Sequence, residues 1–94
     1  MDEKLHYKIK VSGLVQGVGF RWNAAREARS KGINGFVRNL PDGSVFIEAE
    51  GSENGLNSFV DWCRKGTRSG FVESVNIEKT VVLNYTDFTI EEVP

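Results

Sequence analysis

Hydrophobic and polar residues alternate in two short stretches of the chain, and each stretch predicts a β-strand. Residues 7–11 and residues 45–49 both place a hydrophobic side chain at every second position. Because successive side chains of a strand point to opposite faces, this pattern is typical of a strand with one buried face. Residues 35–39 predict a short strand that forms a hairpin with 45–49, since residues 41–43 read Pro-Asp-Gly, a favourable turn sequence.

Two other segments carry apolar residues at helical spacing. Residues 20–31 predict a first helix with a narrow alanine stripe, and Gly32 suits its C-terminal end. Residues 54–65 predict a second helix, with Ser52 as its N-cap. The second helix has one apolar face at the spacing i, i+3, i+4 and i+7, formed by Leu56, Phe59, Val60 and Cys63.

The order of these elements predicts the fold. Val75, Ile77 and Val81 indicate a long fourth strand, and Phe88 and Ile90 indicate a short last one. The resulting order is β-α-β-β-α-β with an additional terminal strand. We therefore expect one α+β domain over residues 1–94, of the ferredoxin-like type, with an antiparallel sheet and both helices on one face. This fold hosts many unrelated activities, so function has to be argued from a site.

The segment that joins the first strand to the first helix is the best candidate for chemistry. Residues 15–21 read Val-Gln-Gly-Val-Gly-Phe-Arg. Glycines allow a sharp turn that exposes backbone N–H groups, and a helix N-terminus attracts anions. Arg21 can add a bidentate fork to phosphate oxygens. The residues alone leave two readings open, an anion site or a plain turn with an exposed arginine, and they match neither a P-loop nor a dinucleotide-binding fingerprint.

Two motifs resemble the signatures of the acylphosphatase family. Residues 13–21, Gly-Leu-Val-Gln-Gly-Val-Gly-Phe-Arg, are similar to the first signature. Residues 32–45 are similar to the second, G-x-x-G-x-V-x-N-x-x-D-G-x-V. The resemblance covers essentially the whole chain, including the closing segment 85–90.

The resemblance implies a function and a set of site residues. It implies hydrolysis of an acyl phosphate to a carboxylate and inorganic phosphate, without a metal or cofactor, and phosphate as product or competitive inhibitor. Arg21 corresponds to the arginine that binds the substrate phosphate, and Asn39 to the asparagine that orients the attacking water. The backbone amides of the loop correspond to the phosphate cradle, namely those of Gln16, Gly17, Val18, Gly19 and Phe20.

The sequence departs from the family pattern at three places. Trp22 stands where tyrosine or a polar residue is common, and we expect it either to shape the rim of the pocket or to pack against a loop. Residues 66–70 lack the proline-containing turn of many members, and Glu91 replaces a basic residue that is frequent in bacterial members. These differences affect the expected loop structure and substrate preference.

The predicted topology independently favours a pairing of Arg21 with Asn39. In a β-α-β-β order the first two strands point the same way and flank the third, so they lie roughly 10 Å apart. The loop after the first strand and the end of the second therefore open at the same end of the sheet. An asparagine amide can both donate and accept, which suits a residue that orients water. Without the resemblance, Asn39 reads as a turn-initiating asparagine before Pro-Asp-Gly.

Charge argues against nucleic acid as a partner. The chain has 12 basic and 13 acidic residues, a net charge of −1, whereas nucleic-acid-binding proteins usually have a basic excess. Residues 35–37 loosely resemble part of an RNA-recognition strand and Phe46 is expected on the open sheet face, but the fuller motif is absent. A second alternative is a non-catalytic domain that binds an anion or carbamoyl phosphate. The presence of both Arg21 and Asn39 favours catalysis.

The remaining reactive residues predict no second site. His6 is expected at the edge of the sheet, and Cys63, the single cysteine, in the core. Acidic residues are expected along solvent faces, without a catalytic carboxylate pair. One cysteine and no visible signal peptide or membrane-length apolar run predict a cytosolic protein, and its size predicts a monomer.

Overall fold

The computed structural model describes residues 3–92, and its elements follow the predicted order. Two bounds differ from the predictions: the first helix ends at Ser30 rather than at residue 31, and Val81 lies beyond the fourth strand. Within the described residues, no helix is both long enough and apolar enough to cross a membrane. The elements are β1 (Lys4–Leu14), α1 (Phe20–Ser30), β2 (Asn34–Asn39), β3 (Val45–Ser52), α2 (Glu53–Lys65), β4 (Phe71–Thr80) and β5 (Phe88–Glu91).

The five strands form one sheet in the order β4-β1-β3-β2-β5. The first four strands pair antiparallel, as predicted for a ferredoxin-like fold, and β1 and β2 flank β3. The sheet differs from the prediction at one edge, because β5 runs parallel to β2 and makes the sheet mixed. The cause is the crossover of residues 81–87. It leaves β4 at the end of the sheet where β2 starts, so β5 must run in the same direction as β2.

The core lies between the two helices and one face of the sheet. Along β1 and β3 alternate hydrophobic side chains face the core, including the fully buried Ile9 and Ile47. The helices contribute their predicted apolar faces, and Ser52 caps α2 by accepting a hydrogen bond from the backbone N–H of Gly55 at 3.1 Å. Cys63 is fully buried as predicted, and burial raises the pKa of its thiol to about 12. The thiol is therefore a core group rather than a nucleophile.

The other face of the sheet holds a buried polar cluster that the sequence analysis placed wrongly. His6 lies on the interior strand β1 and is fully buried, not at an edge. Its ring nitrogens lie 2.7 Å from a Glu50 carboxylate oxygen and 2.8 Å from one of Glu48. Glu50 is also buried, which contradicts the expectation that acidic residues lie along solvent faces.

The crossover explains why a carboxylate is buried there. Glu50 accepts hydrogen bonds from the backbone N–H groups of Leu83, Asn84 and Tyr85. These amides belong to no strand and need acceptors once they are covered. Burial alone acts to raise the pKa of Glu50, but the bonds from Leu83, His6 and Tyr85 outweigh it and hold this pKa below its ordinary value.

Candidate active site

The loop after β1 makes the turn that the glycines predicted. Gly17 and Gly19 both have positive φ angles, 75° and 78°, which only glycine adopts without strain. Gly19 is the N-cap of α1 and Phe20 is its first residue, with no acidic side chain in the first turn. The first N–H groups of a helix have no helical acceptor and lie at the positive end of its dipole. This end of α1 therefore favours an anion.

A cavity of about 230 Å³ opens between this loop, the end of β2 and the last strand. It brings together five of the seven predicted site residues, which are Gly17, Gly19, Phe20, Arg21 and Asn39. Residues that the motifs did not single out as site residues complete the lining, namely Val15, Trp22, Ile90 and Glu92. Of the two expectations for Trp22, its place in the lining favours the pocket rim.

The other two predicted residues lie beside the cavity rather than in its lining. The side chain of Val18 packs against the hydrophobic core. The side-chain amide of Gln16 donates hydrogen bonds to the carbonyl oxygens of Leu40 and Ser44, both at 2.8 Å. Gln16 therefore ties the glycine-rich loop to the turn that follows Asn39. Nothing in the sequence spacing indicates this contact, because it joins two loops that are distant along the chain.

The guanidinium group of Arg21 is held by the last described residues. Its Nη1 donates to the backbone oxygen of Glu91 and lies 3.3 Å from a carboxylate oxygen of Glu92. Glu92 is largely exposed, with 83% of its side chain accessible, so this ion pair contributes little stability. A phosphate dianion can displace such a partner. The two motifs do not indicate Glu92, because this contact depends on where β5 ends.

Asn39 ends β2, opposite Val45 at the start of β3. Its side-chain oxygen is buried and accepts no hydrogen bond from any residue in the range 3–92. Leaving a buried acceptor unpaired costs about 1–3 kcal/mol, so the Asn39 side chain gains stability by turning its amide oxygen toward a donor in the cavity. A water or a substrate hydroxyl in the cavity is such a donor.

The hairpin turn after Asn39 is held by a different residue. Asp42 accepts hydrogen bonds from the backbone N–H and the hydroxyl of Ser44, and its carboxylate lies 2.9 Å from Lys10 Nζ. These contacts with Ser44 and Lys10 hold the pKa of Asp42 far below its ordinary value. Because Asp42 supplies the turn's side-chain bonds, the Asn39 amide oxygen is not used as a turn initiator.

The fold and the cavity define a class of protein. It is a small α+β sandwich in which a glycine-rich loop, a helix N-terminus, an arginine and an asparagine meet at one end of the sheet. The model of the acylphosphatase family matches residues 7–90. The chain therefore belongs to the acylphosphatase family and is an enzyme of the hydrolase class.

Individual relatives agree with this assignment. An acylphosphatase of Thermotoga petrophila is 50% identical over 84 residues, which cover 89% of this chain and 93% of the relative. The crystal structure of acylphosphatase from Bacillus subtilis superposes with a TM-score of 0.91 at 38% identity, covering 94% of this chain and 99% of that one. HypF of T. kodakarensis contains a similar unit, with a TM-score of 0.80 and 30% identity, over 96% of this chain but 12% of that protein.

Proposed function

We propose that this enzyme hydrolyses the carboxyl–phosphate bond of acyl phosphates in the cavity lined by Arg21 and Asn39. The observation that carries the proposal is the meeting of these two side chains with the glycine-rich loop around one cavity. Water attacks phosphorus and forms a new P–O bond, the bond between phosphorus and the acyl oxygen breaks, and a proton of the water passes to a phosphoryl oxygen of the substrate. The products are a carboxylate and inorganic phosphate.

The phosphate is held by the loop and by Arg21. The backbone N–H groups from Gln16 to Phe20 face the phosphoryl oxygens, and the dipole of α1 favours their negative charge. Arg21 adds two parallel hydrogen bonds after it releases Glu92. These donors also stabilise the charge that spreads over the phosphoryl oxygens in the transition state.

Asn39 orients the attacking water. Its unpaired side-chain oxygen accepts a hydrogen bond from the water and aims the water's lone pair at phosphorus. The carboxylate is a good leaving group, so it departs without a protein acid. Because phosphoryl transfer depends mostly on positioning and electrostatic stabilisation, these few groups are sufficient, and we expect no requirement for a metal.

The proposal is tested by hydrolysis of benzoyl phosphate in the presence of EDTA, with Arg21→Gln as the comparison. We expect the wild type to be active and the variant to lose activity and phosphate affinity together, because glutamine removes the charge and the fork. Arg21→Lys restores the charge alone and is expected to recover phosphate affinity only in part.

Three results would contradict parts of this proposal. Near-normal turnover in Arg21→Gln would remove Arg21 from the site. Loss of activity with EDTA that added metal restores would overturn the metal-independent mechanism. A folded wild type that binds phosphate without hydrolysing the substrate would favour the non-catalytic alternative, whereas salt-dependent RNA binding would favour a nucleic-acid role.

The wider setting of the enzyme also stays a prediction. We infer that residues 1–94 form one domain, and that the enzyme is a monomer in the cytosol, where its single cysteine stays reduced. Sedimentation of the purified protein tests the monomer.

A further inference from the structure

The lining of the cavity includes apolar side chains that the chemistry of phosphate does not use. Trp22, Ile90 and Val15 line it together with Arg21 and Asn39. Trp22 directly follows Arg21 in the first turn of α1, and 61% of its surface is accessible. A phosphoryl group needs N–H donors and positive charge around it, and an indole ring with an isoleucine supplies neither.

The position of Trp22 is supported by its neighbour one turn along α1. The guanidinium carbon of Arg26 lies 5.9 Å from the centroid of the indole ring, within the range of a cation–π contact. Arg26 therefore favours a ring that stays against α1 rather than one that rotates freely. A large aromatic side chain that is exposed, supported and part of a cavity wall is suited to bind a flat apolar group.

We propose that Trp22, together with Ile90, forms a subsite for an aromatic acyl group of the substrate. This inference rests on the proposed function, because the phosphate has to be held at Arg21 for the acyl group to reach the ring. The acyl carbon is joined to the phosphate through one oxygen, so the acyl group must lie directly beside the phosphate site. Trp22 follows Arg21 in the chain and lines the same cavity.

The test compares benzoyl phosphate with acetyl phosphate, which share the reacting bond but differ in the acyl group. For Trp22→Ala we expect kcat/KM for benzoyl phosphate to fall roughly three- to tenfold, mostly through KM, which is the range for an aromatic pair. We expect kcat/KM for acetyl phosphate, and inhibition by inorganic phosphate, to stay within about twofold. Trp22→Phe keeps an aromatic surface and is expected to retain most of the preference.

Phe71→Ala is the matched control. Phe71 is an aromatic residue of similar exposure, 66%, that does not line the cavity, so its removal should leave both substrates unaffected. An equal loss for both substrates in Trp22→Ala, or no loss for either, would overturn the subsite while the proposed hydrolysis stands. A wild type inactive on both substrates would instead overturn the proposed function itself.

Discussion

At the scale of single residues, the site depends on side chains whose polar atoms have weak partners or none within the protein. Among the described residues, Arg21 pairs with a backbone oxygen and the exposed Glu92, and the buried oxygen of Asn39 has no partner. The buried side chains of His6 and Glu50 are by contrast bonded to each other, and Glu50 also to backbone amides, although Arg38 Nε and Thr67 Oγ1 also lack a partner. A group that binds substrate has to keep hydrogen-bonding capacity free, which agrees with the roles proposed for Arg21 and Asn39.

The role of Asn39 predicts a change in turnover rather than in binding. We expect Asn39→Ala to lower kcat by about 100-fold or more, as when one oriented donor or acceptor is removed from an active site. Inhibition by inorganic phosphate should change much less, because Arg21 and the loop amides are intact. Steady-state kinetics with benzoyl phosphate, combined with phosphate inhibition, measure both quantities. An equal loss in both would place Asn39 in the phosphate cradle instead.

At the scale of elements, the two halves of the site are joined by one side chain. Gln16 lies in the loop before α1, and its amide bonds the carbonyls of Leu40 and Ser44 in the turn after β2. The glycine-rich loop and the end of β2 therefore keep a defined separation. Small displacements of catalytic groups lower rates strongly, so we expect this contact to affect catalysis as well as stability.

Substitutions of Gln16 test this connection. We expect Gln16→Ala to lower the free energy of unfolding by about 1 kcal/mol and kcat by about tenfold. Gln16→Glu should be worse than alanine, because it has the same shape but turns a carboxylate oxygen toward two carbonyl oxygens. Denaturant unfolding and kinetics, both well below the thermal transition, measure the two effects. A Gln16→Glu variant with wild-type kinetics would contradict the connection.

At the scale of the whole molecule, the two ends of the sheet are specialised differently. The end with the loop and Asn39 carries the cavity, while the opposite end is closed by the crossover of residues 81–87 over Glu50. The crossover does not pair with a strand, so its backbone N–H groups donate hydrogen bonds to the buried carboxylate of Glu50 instead. The same crossover brings β5 to the far edge of the sheet, where β5 contributes Ile90 and Glu91 to the site region.

The closed end predicts how stability depends on pH. The pKa of Glu50 is lowered in the folded state, so its contribution to stability is present above the unfolded value of about 4.3 and is lost as pH falls toward the folded value. We expect Glu50→Gln to lower the free energy of unfolding by about 2 kcal/mol at pH 7, because a glutamine side chain cannot accept all of the hydrogen bonds that Glu50 accepts. As the pH falls below about 5, the free energy of unfolding should decrease less in the variant than in the wild type.

Urea unfolding at several pH values measures this difference. Glu78→Gln is the matched control, since Glu78 is an exposed carboxylate on β4 and should change stability by no more than about 0.5 kcal/mol. A Glu50→Gln variant with wild-type stability at pH 7 would show that the carboxylate does not hold the crossover.

Local patterns by themselves determined most of the fold. Alternation predicted β1 and β3, the apolar spacing of Leu56 to Cys63 predicted α2, and Pro-Asp-Gly predicted the hairpin turn. These features depend on neighbours within a few residues, so the sequence contains the information directly. Five of the seven site residues expected from the two motifs meet around the cavity, because the order of elements already places the ends of β1 and β2 together.

Only the tertiary structure decided the features that join distant parts of the chain. The parallel pairing of β5 follows from the path of the crossover, and the burial of His6 and Glu50 follows from what that crossover covers. The contacts of Gln16 with the hairpin turn, and of Glu92 with Arg21, likewise join residues far apart in sequence. A pattern of hydrophobic and polar residues records which apolar side chains are buried. It does not record which distant polar group meets another, because that depends on the packing of the complete chain.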